Sequence, residues 1–306
     1  LSGIFPKFPS VKGIKGLLKE GFRTSRNDRK RNRYFLMKKL GLIAGAGELP
    51  MAIANEARAQ GHNVFAIALE PLADKGISAC ADEVEWVNVG KLGKLINALR
   101  KRGISEAVMA GKVSKTLLYK SKITPDLRAV KLLFSLKDRK DDSILLSITK
   151  ELEDEGIRLL DITRFSGSLL TPEGVHTKKK PTDAEWKDIE FGWKVAKEIG
   201  KLDIGQTVVV KEQAVMAVEA IEGTDEAIRR GGMLSGEGVV VVKVSKPEQD
   251  MRFDVPAVGL QTLSIMQEVR ARVLALEAHK CLILQRAALI EEANKSKITI
   301  VGYSGT

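Results

Sequence analysis

Leu40-Gly41-Leu42-Ile43-Ala44-Gly45-Ala46-Gly47-Glu48-Leu49-Pro50 decides the architecture. An apolar run of strand length passes through a glycine turn into residues 51–60, which have helical composition and stop at Gly61. Glycines at such a junction let a phosphate approach the backbone, where the first N–H groups of a helix lack intrahelical partners. Gly45 and Gly47 are therefore candidate contacts to a nucleotide or its phosphates. A dinucleotide fingerprint would place a third glycine three residues beyond Gly47, where this chain has Pro50. Glu70, at the end of the next strand, stands where such folds put a ribose-binding acid. A plain tight turn and a nucleotide-binding turn both satisfy this pattern.

Outward from this stretch the alternation repeats. Strands are expected over 63–69, 84–89, 106–110 and 157–160, and helices over 92–102 and 144–155, closed by Gly103 and Gly156. The fold class is α/β, with residues 37–165 forming a Rossmann-like N-terminal domain. Residues 166–183 break the composition with Gly167, Pro172, Gly174, Lys178-Lys179-Lys180 and Pro181, and read as a hinge or linker. Residues 184–306 then read as a distinct mixed α/β catalytic domain. Its helices are expected over 184–199, 225–230, 261–272 and 286–295. Its strands are expected over 207–211, 214–220, 238–244, 273–278, 281–284 and 298–301.

At 306 residues the chain has room for two cores, and 44% hydrophobic with 29% charged content belongs to a globular protein. No apolar run is long enough to span a bilayer. Cys80 and Cys281 form no CxxC pair, and His62, His176 and His279 no HxxxH pair, so neither a disulfide framework nor a zinc site is expected. The net charge of +11 is local: residues 1–36 hold ten Lys or Arg and two Asp or Glu, leaving 11 − 8 = +3 for the rest. The body is therefore not a nucleic-acid binder. The segment 1–36, which precedes Met37, reads as a basic extension from a misplaced start, the other reading being an arm for acidic head groups.

Two acidic motifs carry the candidate chemistry. Glu222-Gly223-Thr224-Asp225-Glu226 follows an apolar strand and opens a helix. Thr224 or Asp225 can cap that helix, but carboxylates around a glycine turn, with substrate phosphate oxygens, are also what magnesium prefers. Gln249-Asp250-Met251-Arg252-Phe253-Asp254 follows a valine-rich strand. In an extended segment Asp250, Arg252 and Asp254 would face one side, where Arg252 can grip a phosphate; a structural salt-bridge ladder is the alternative. Lys140-Asp141-Asp142-Ser143 opens another helix, with capping as its ordinary role.

Taken in order, 42–50, 140–142, 188–192, 202–206, 219–225 and 249–256 resemble the LpxI family, the UDP-2,3-diacylglucosamine pyrophosphatases of lipid A biosynthesis. The resemblance runs from Met37 to Tyr303 and excludes 1–36. It implies magnesium-dependent hydrolysis of UDP-2,3-diacylglucosamine to UMP and 2,3-diacylglucosamine 1-phosphate, with the lipid held between two domains. It implies Asp225 as the key catalytic residue and a metal ligand, with Glu222 second for the metal and Arg252 stabilising phosphate charge. Gly45, Gly47, Asp141, Asp142, Thr224, Gln249, Asp250 and Asp254 would contact substrate. The partners implied are a lipid-linked sugar nucleotide and, peripherally, the cytoplasmic face of the inner membrane; a homodimer is compatible with it. The competing readings are an NAD(P)-dependent oxidoreductase and a non-catalytic protein that binds an acylated sugar.

Overall fold

The computed structural model describes residues 38–113, 124–136, 141–247, 249–253 and 255–305, with backbone only at 141–143. Asp254 and the basic segment 1–36 lie outside the described residues, as do the side chains of Asp141 and Asp142.

The N-terminal unit is a five-stranded parallel sheet in the order β3-β2-β1-β4-β5. Its strands are β1 (Lys39–Ala44), β2 (Asn63–Glu70), β3 (Glu83–Asn88), β4 (Glu106–Ala110) and β5 (Arg158–Leu159). β1 and β2 are buried on both faces, which is why they read as unbroken apolar runs. The helices are α1 (Leu49–Ala59), α2 (Ile77–Cys80), α3 (Leu92–Lys101), α4 (Leu127–Ser135) and α5 (Asp141–Asp154). Leu42, Ile53, Ala57 and Phe165 pack on one face, and Ile67, Ile96, Leu99 and Leu152 on the other. Neither α2 nor α4 is anticipated by the sequence pattern: α2 is a single turn, and α4 leaves Leu127 and Phe134 exposed, so its apolar face is not a simple core stripe.

The C-terminal unit is a six-stranded mixed sheet, β6-β13-β11-β9-β7-β8. The strands are β6 (Gly174–Val175), β7 (Thr207–Lys211), β8 (Ala214–Val218), β9 (Val240–Lys243), β11 (Val273–Glu277) and β13 (Thr299–Tyr303). β9, β11 and β13 run parallel, while β7 and β8 form an antiparallel hairpin beside them. The valine run of β9 alternates strictly between two cores. Val240 and Val242 meet Ile189 and Ala196 of α6 (Asp183–Lys201). Val239 and Val241 meet Ile228 of α7 (Thr224–Ser235), Leu263 and Met266 of α8 (Leu260–Glu268), and Leu289 of α9 (Arg286–Lys295).

α7 is twice the length expected. Gly231 and Gly232 both lie inside it: a Cβ at Gly231 would stand 2.7 Å from Val209, and one at Gly232 would collide with Val269. Close packing on β7 and on the end of α8 explains the glycines. The helix expected over 261–272 stops at Glu268, after which Arg270 takes φ 54.

Segments of the C-terminal half are built into the N-terminal core. β10 (Ala257–Val258) pairs in parallel with β12 (Leu282–Ile283) outside the main sheet, and Val255, Leu282 and Leu284 pack among Leu42, Ile53 and Phe165. Ile162 N–H donates to Met251 O at 3.2 Å. In the stretch read as a hinge, β6 pairs with β13, and Thr171 N–H and Oγ1 both donate to Cys281 O at 2.9 Å. The C-terminal ends of β9 and β11, the usual site of ligand crevices in α/β sheets, therefore face the N-terminal unit.

Candidate active site

β8 ends at Val218, and the chain turns through Glu219 to Gly223 into α7. Gly223 has φ 86 and ψ 171, a backbone region reserved for glycine, and its N–H donates to Ala220 O. Thr224 is the first helical residue rather than the cap. Its hydroxyl donates to Glu219 Oε1 at 2.9 Å and accepts from Lys243 Nζ at 2.7 Å. Asp225 is half-buried, and its Oδ1 accepts from Thr262 Oγ1 at 3.0 Å, in the first turn of α8. Among the described residues no cation pairs with Asp225. Glu222, by contrast, is held by Arg230, whose Nη2 lies 2.5 Å away. Backbone hydrogen bonding and then Arg230 hold the Glu222 carboxyl below its usual range.

Lys243 and Glu219 were not singled out as candidates, although Lys243 ends an apolar strand on the core side, where a charge is costly unless paired. It is 3% exposed. Burial by itself would raise the Glu219 carboxyl pKa. The Lys243 charge and the Thr207 and Thr224 hydroxyls outweigh that, and the net shift is downward. Cys281 lies beneath, its Sγ 3.5 Å from Lys243 O; burial pushes its thiol up to about 12, which leaves it protonated and unreactive.

The second motif differs from the expected extended strand. Residues 250–253 turn back on themselves: Phe253 N–H donates to Asp250 O at 3.0 Å, and Arg252 N–H to Asp250 Oδ1 at 3.0 Å. Arg252 and Asp250 are therefore paired with each other, Nε to Oδ1 at 3.0 Å and Nη2 to Oδ2 at 2.7 Å, rather than lined up along one face. The Asp250 hydrogen bonds raise the guanidinium pKa and Arg252 lowers that of Asp250; Glu153 and Asp161 of the N-terminal unit add to the field on Arg252. Gln249 Oε1 accepts from Ser245 Oγ and Lys246 N–H, each at 3.0 Å, which shapes the start of the loop. Among the described residues no contact joins Arg252 to Asp225.

The turn after β1 has its first backbone groups taken up by hydrogen bonds. Gly45 N–H donates to Ala110 O at 2.8 Å, and Ala46 and Lys112 exchange backbone hydrogen bonds at 2.9 Å. The seam lies between β1 and β4, where a doubly wound fold would seat a dinucleotide pyrophosphate. Gly47, at φ 94, is exposed beyond it.

What the sequence does not disclose is a meeting of helix N-termini. Glu48 at the start of α1 accepts from Gln285 Nε2, at the start of α9, at 3.0 Å. A Cβ on Gly259, at the start of α8, would lie 3.8 Å from Glu48 Oε2. Thr262 then links α8 to Asp225 of α7. None of these four helices has a side-chain cap. Elsewhere Asp126 caps α4 and Thr182 with Glu185 forms a capping box on α6, while the N-cap residues of α2 and α3 also lack a side-chain cap. Uncapped N–H groups and the positive ends of four helix dipoles make this crevice between the two units a place for anionic oxygens.

Among the described residues no three His, Cys, Asp or Glu side chains converge as a metal site. The donor set present fits a hard cation completed by the ligand: Asp225 supplies a carboxylate that no cation among the described residues neutralises, and magnesium is commonly held by one or two carboxylates plus phosphate oxygens and water. Glu222 fits less well, since Arg230 already neutralises it.

Residues 39–169 match the family model described as the LpxI N-terminal domain, and 172–301 that of the LpxI C-terminal domain. UDP-2,3-diacylglucosamine pyrophosphatase LpxI of Caulobacter vibrioides is 34% identical over 279 residues, covering 87% of this chain and 98% of that protein. Among solved structures, the crystal structure of gox2253 overlaps 85% of this chain and 84% of its own at 11% identity; its TM-score of 0.29 carries no argument.

Proposed function

The chain belongs to the LpxI family, and from that premise we propose that it hydrolyses the diphosphate of UDP-2,3-diacylglucosamine, giving UMP and 2,3-diacylglucosamine 1-phosphate. The observation that carries the reading is Asp225, set at the N-terminus of an uncapped helix in a crevice of four such termini.

One water is consumed: its oxygen bonds to one phosphorus, the bond from that phosphorus to the bridging oxygen breaks, and the bridging oxygen leaves on the other phosphate. The crevice must tolerate the concentrated charge of a diphosphate, and its helix N-termini supply positive potential. Asp225 orients the attacking water and would hold magnesium. When bound, the ion would neutralise diphosphate charge and acidify water. Thr262 fixes the Asp225 carboxylate through Oδ1 and leaves Oδ2 for this work. Gly47 lets the nucleotide approach α1, and the Asp250–Arg252 turn and Gln249 are assigned to phosphate and sugar contacts.

Among the described residues no helix is long and apolar enough to cross a membrane. We place the enzyme at the cytoplasmic face of the inner membrane, in peripheral contact, because its substrate carries two acyl chains. We keep a homodimer as the assembly for light scattering to test.

The purified full chain is incubated with UDP-2,3-diacylglucosamine in magnesium or in EDTA, and UMP and the lipid product are followed by chromatography. Equimolar UMP and sugar 1-phosphate in magnesium alone is the expected result. Substrate retained without UMP would establish the non-catalytic binding protein instead.

A further inference from the structure

We propose that Lys243 is a positioning residue for this hydrolysis: from beneath the site it ties the Glu219-to-Asp225 turn to the strand floor and so fixes where Asp225 stands. This rests on the functional reading above and adds to it a residue that touches no substrate.

The ammonium donates to two hydroxyls and forms a longer ion pair with a carboxylate. Thr224 Oγ1 lies at 2.7 Å, Thr207 Oγ1 at 3.3 Å and Glu219 Oε2 at 3.9 Å. Thr207 lies opposite Lys243 in the β7–β9 pairing, so two of these four groups belong to the rigid sheet. The other two, Glu219 and Thr224, bracket the turn; Thr224 is the residue before Asp225. Glu219 also accepts from Gln206 N–H at 3.4 Å, and its own N–H donates to Thr207 O. The turn is thus clamped at both ends while its middle, Ile221 to Gly223, reaches solvent or is only partly covered.

The arrangement answers a specific need. Gly223 frees the chain to enter α7 sharply but supplies no side chain to cap it. Instead Lys243 and Glu219 take up the Thr224 hydroxyl, one donating to it and the other accepting from it, and so hold the first residue of α7 in place beside Asp225. A buried lysine here costs solvation, and a hydrophobic side chain of similar volume would often be as stable. Its retention in the fold is accounted for by placement of the turn.

The test compares Lys243→Met, Thr224→Val and the double variant in the full chain, measuring kcat, KM and thermal midpoint with UDP-2,3-diacylglucosamine. Displacement of a reacting group by about 1 Å can cost on the order of 10²-fold. Each single variant should lose kcat on that scale with KM little changed, and the double variant should lose no more than the worse single one, since both cut one tether. Thr224→Ser, which keeps the hydroxyl, should restore kcat. Lys243→Met should also leave Glu219 buried without its cation and shift the acid limb of the pH–kcat profile to higher pH. If the variants have lower thermal midpoints but wild-type kcat per folded molecule, Lys243 is merely structural and the proposal fails. If Lys243→Met does not fold, Thr224→Val and Thr224→Ser decide alone. A wild-type chain that releases no UMP would sink the functional reading instead, a result distinct from either.

Discussion

The chain has two strand–glycine–helix turns that share one local grammar, in which Gly45 and Gly223 do opposite work. After β1, Gly45 is buried and donates its N–H to Ala110 O, and its neighbour Ala46 exchanges backbone hydrogen bonds with Lys112. After β8, Gly223 opens a turn whose Glu222 and Asp225 carboxylates remain accessible and whose helix is uncapped. In the first, glycine serves close packing: a Cβ there would lie 2.8 Å from Lys112 O. In the second, nothing lies within 4 Å, and glycine is required by φ 86 alone. What packs over a turn decides whether its backbone is a seam or a site.

The largest effect expected from breaking this contrast comes at Asp225. Asp225→Asn keeps an oxygen for the Thr262 hydroxyl, so its thermal midpoint should stay near wild type. Loss of a group that handles the water should lower kcat by about 10²–10⁴-fold. Retention of full kcat would remove Asp225 from the chemistry.

Next come the glycines themselves. Gly45→Ala must push the 111–112 backbone aside, at a cost of about 1–3 kcal/mol. Gly223→Ala strains the backbone by a similar amount, about 1–3 kcal/mol. Denaturant midpoints should therefore fall in both. Only Gly223→Ala should lose kcat per folded molecule, by roughly tenfold, the equivalent of about 1.4 kcal/mol. Equal kcat losses in the two would erase the distinction drawn here.

A smaller effect tests whether both turns look into one crevice. Glu48→Gln keeps an acceptor for Gln285 and removes a negative charge from the meeting of helix N-termini. Inhibition by UMP should strengthen by about fivefold, near 1 kcal/mol, and the gain should shrink as salt is added. No change at low salt would place the start of α1 outside the diphosphate's field.

The smallest effect is on stability against pH. The Glu219 carboxyl is held below its ordinary range in the fold. Its contribution is therefore present above the unfolded value, about 4.3, and is lost as pH falls through the lower folded value. Glu219→Gln should be less stable than wild type at pH 7, and the gap in denaturant midpoint should close below about pH 4. A gap that persists unchanged into acid would show that the carboxylate charge is not what Lys243 holds.

Much of this was legible in the chain itself. Strand–helix alternation in the first half implied a parallel sheet, and the unbroken apolar strands implied burial on both faces. The Glu222-to-Asp225 turn was marked by acids around a glycine at a strand end. Arg252 was marked too, but its geometry was misread: alternate positions share a face only in extended chain, and Asp250 bends this segment by taking Arg252 N–H for itself. Lys243 and Glu48 passed unremarked because each looks ordinary in its local window, one a lysine closing a strand, the other a glutamate before a helix.

The amino-acid order by itself determined what is local: which segments are strands and helices, which residues carry charge, and where glycine frees the backbone. Family membership, too, is written in it, through short motifs kept in order. Only the tertiary structure decided which turn is closed and which is open, that Lys243 lies beneath Thr224, and that α1, α7, α8 and α9 begin beside one another. Those facts depend on pairs such as Glu48 with Gln285, 237 positions apart. Contacts at that separation are set by how two sheets pack, which no periodicity along the chain encodes.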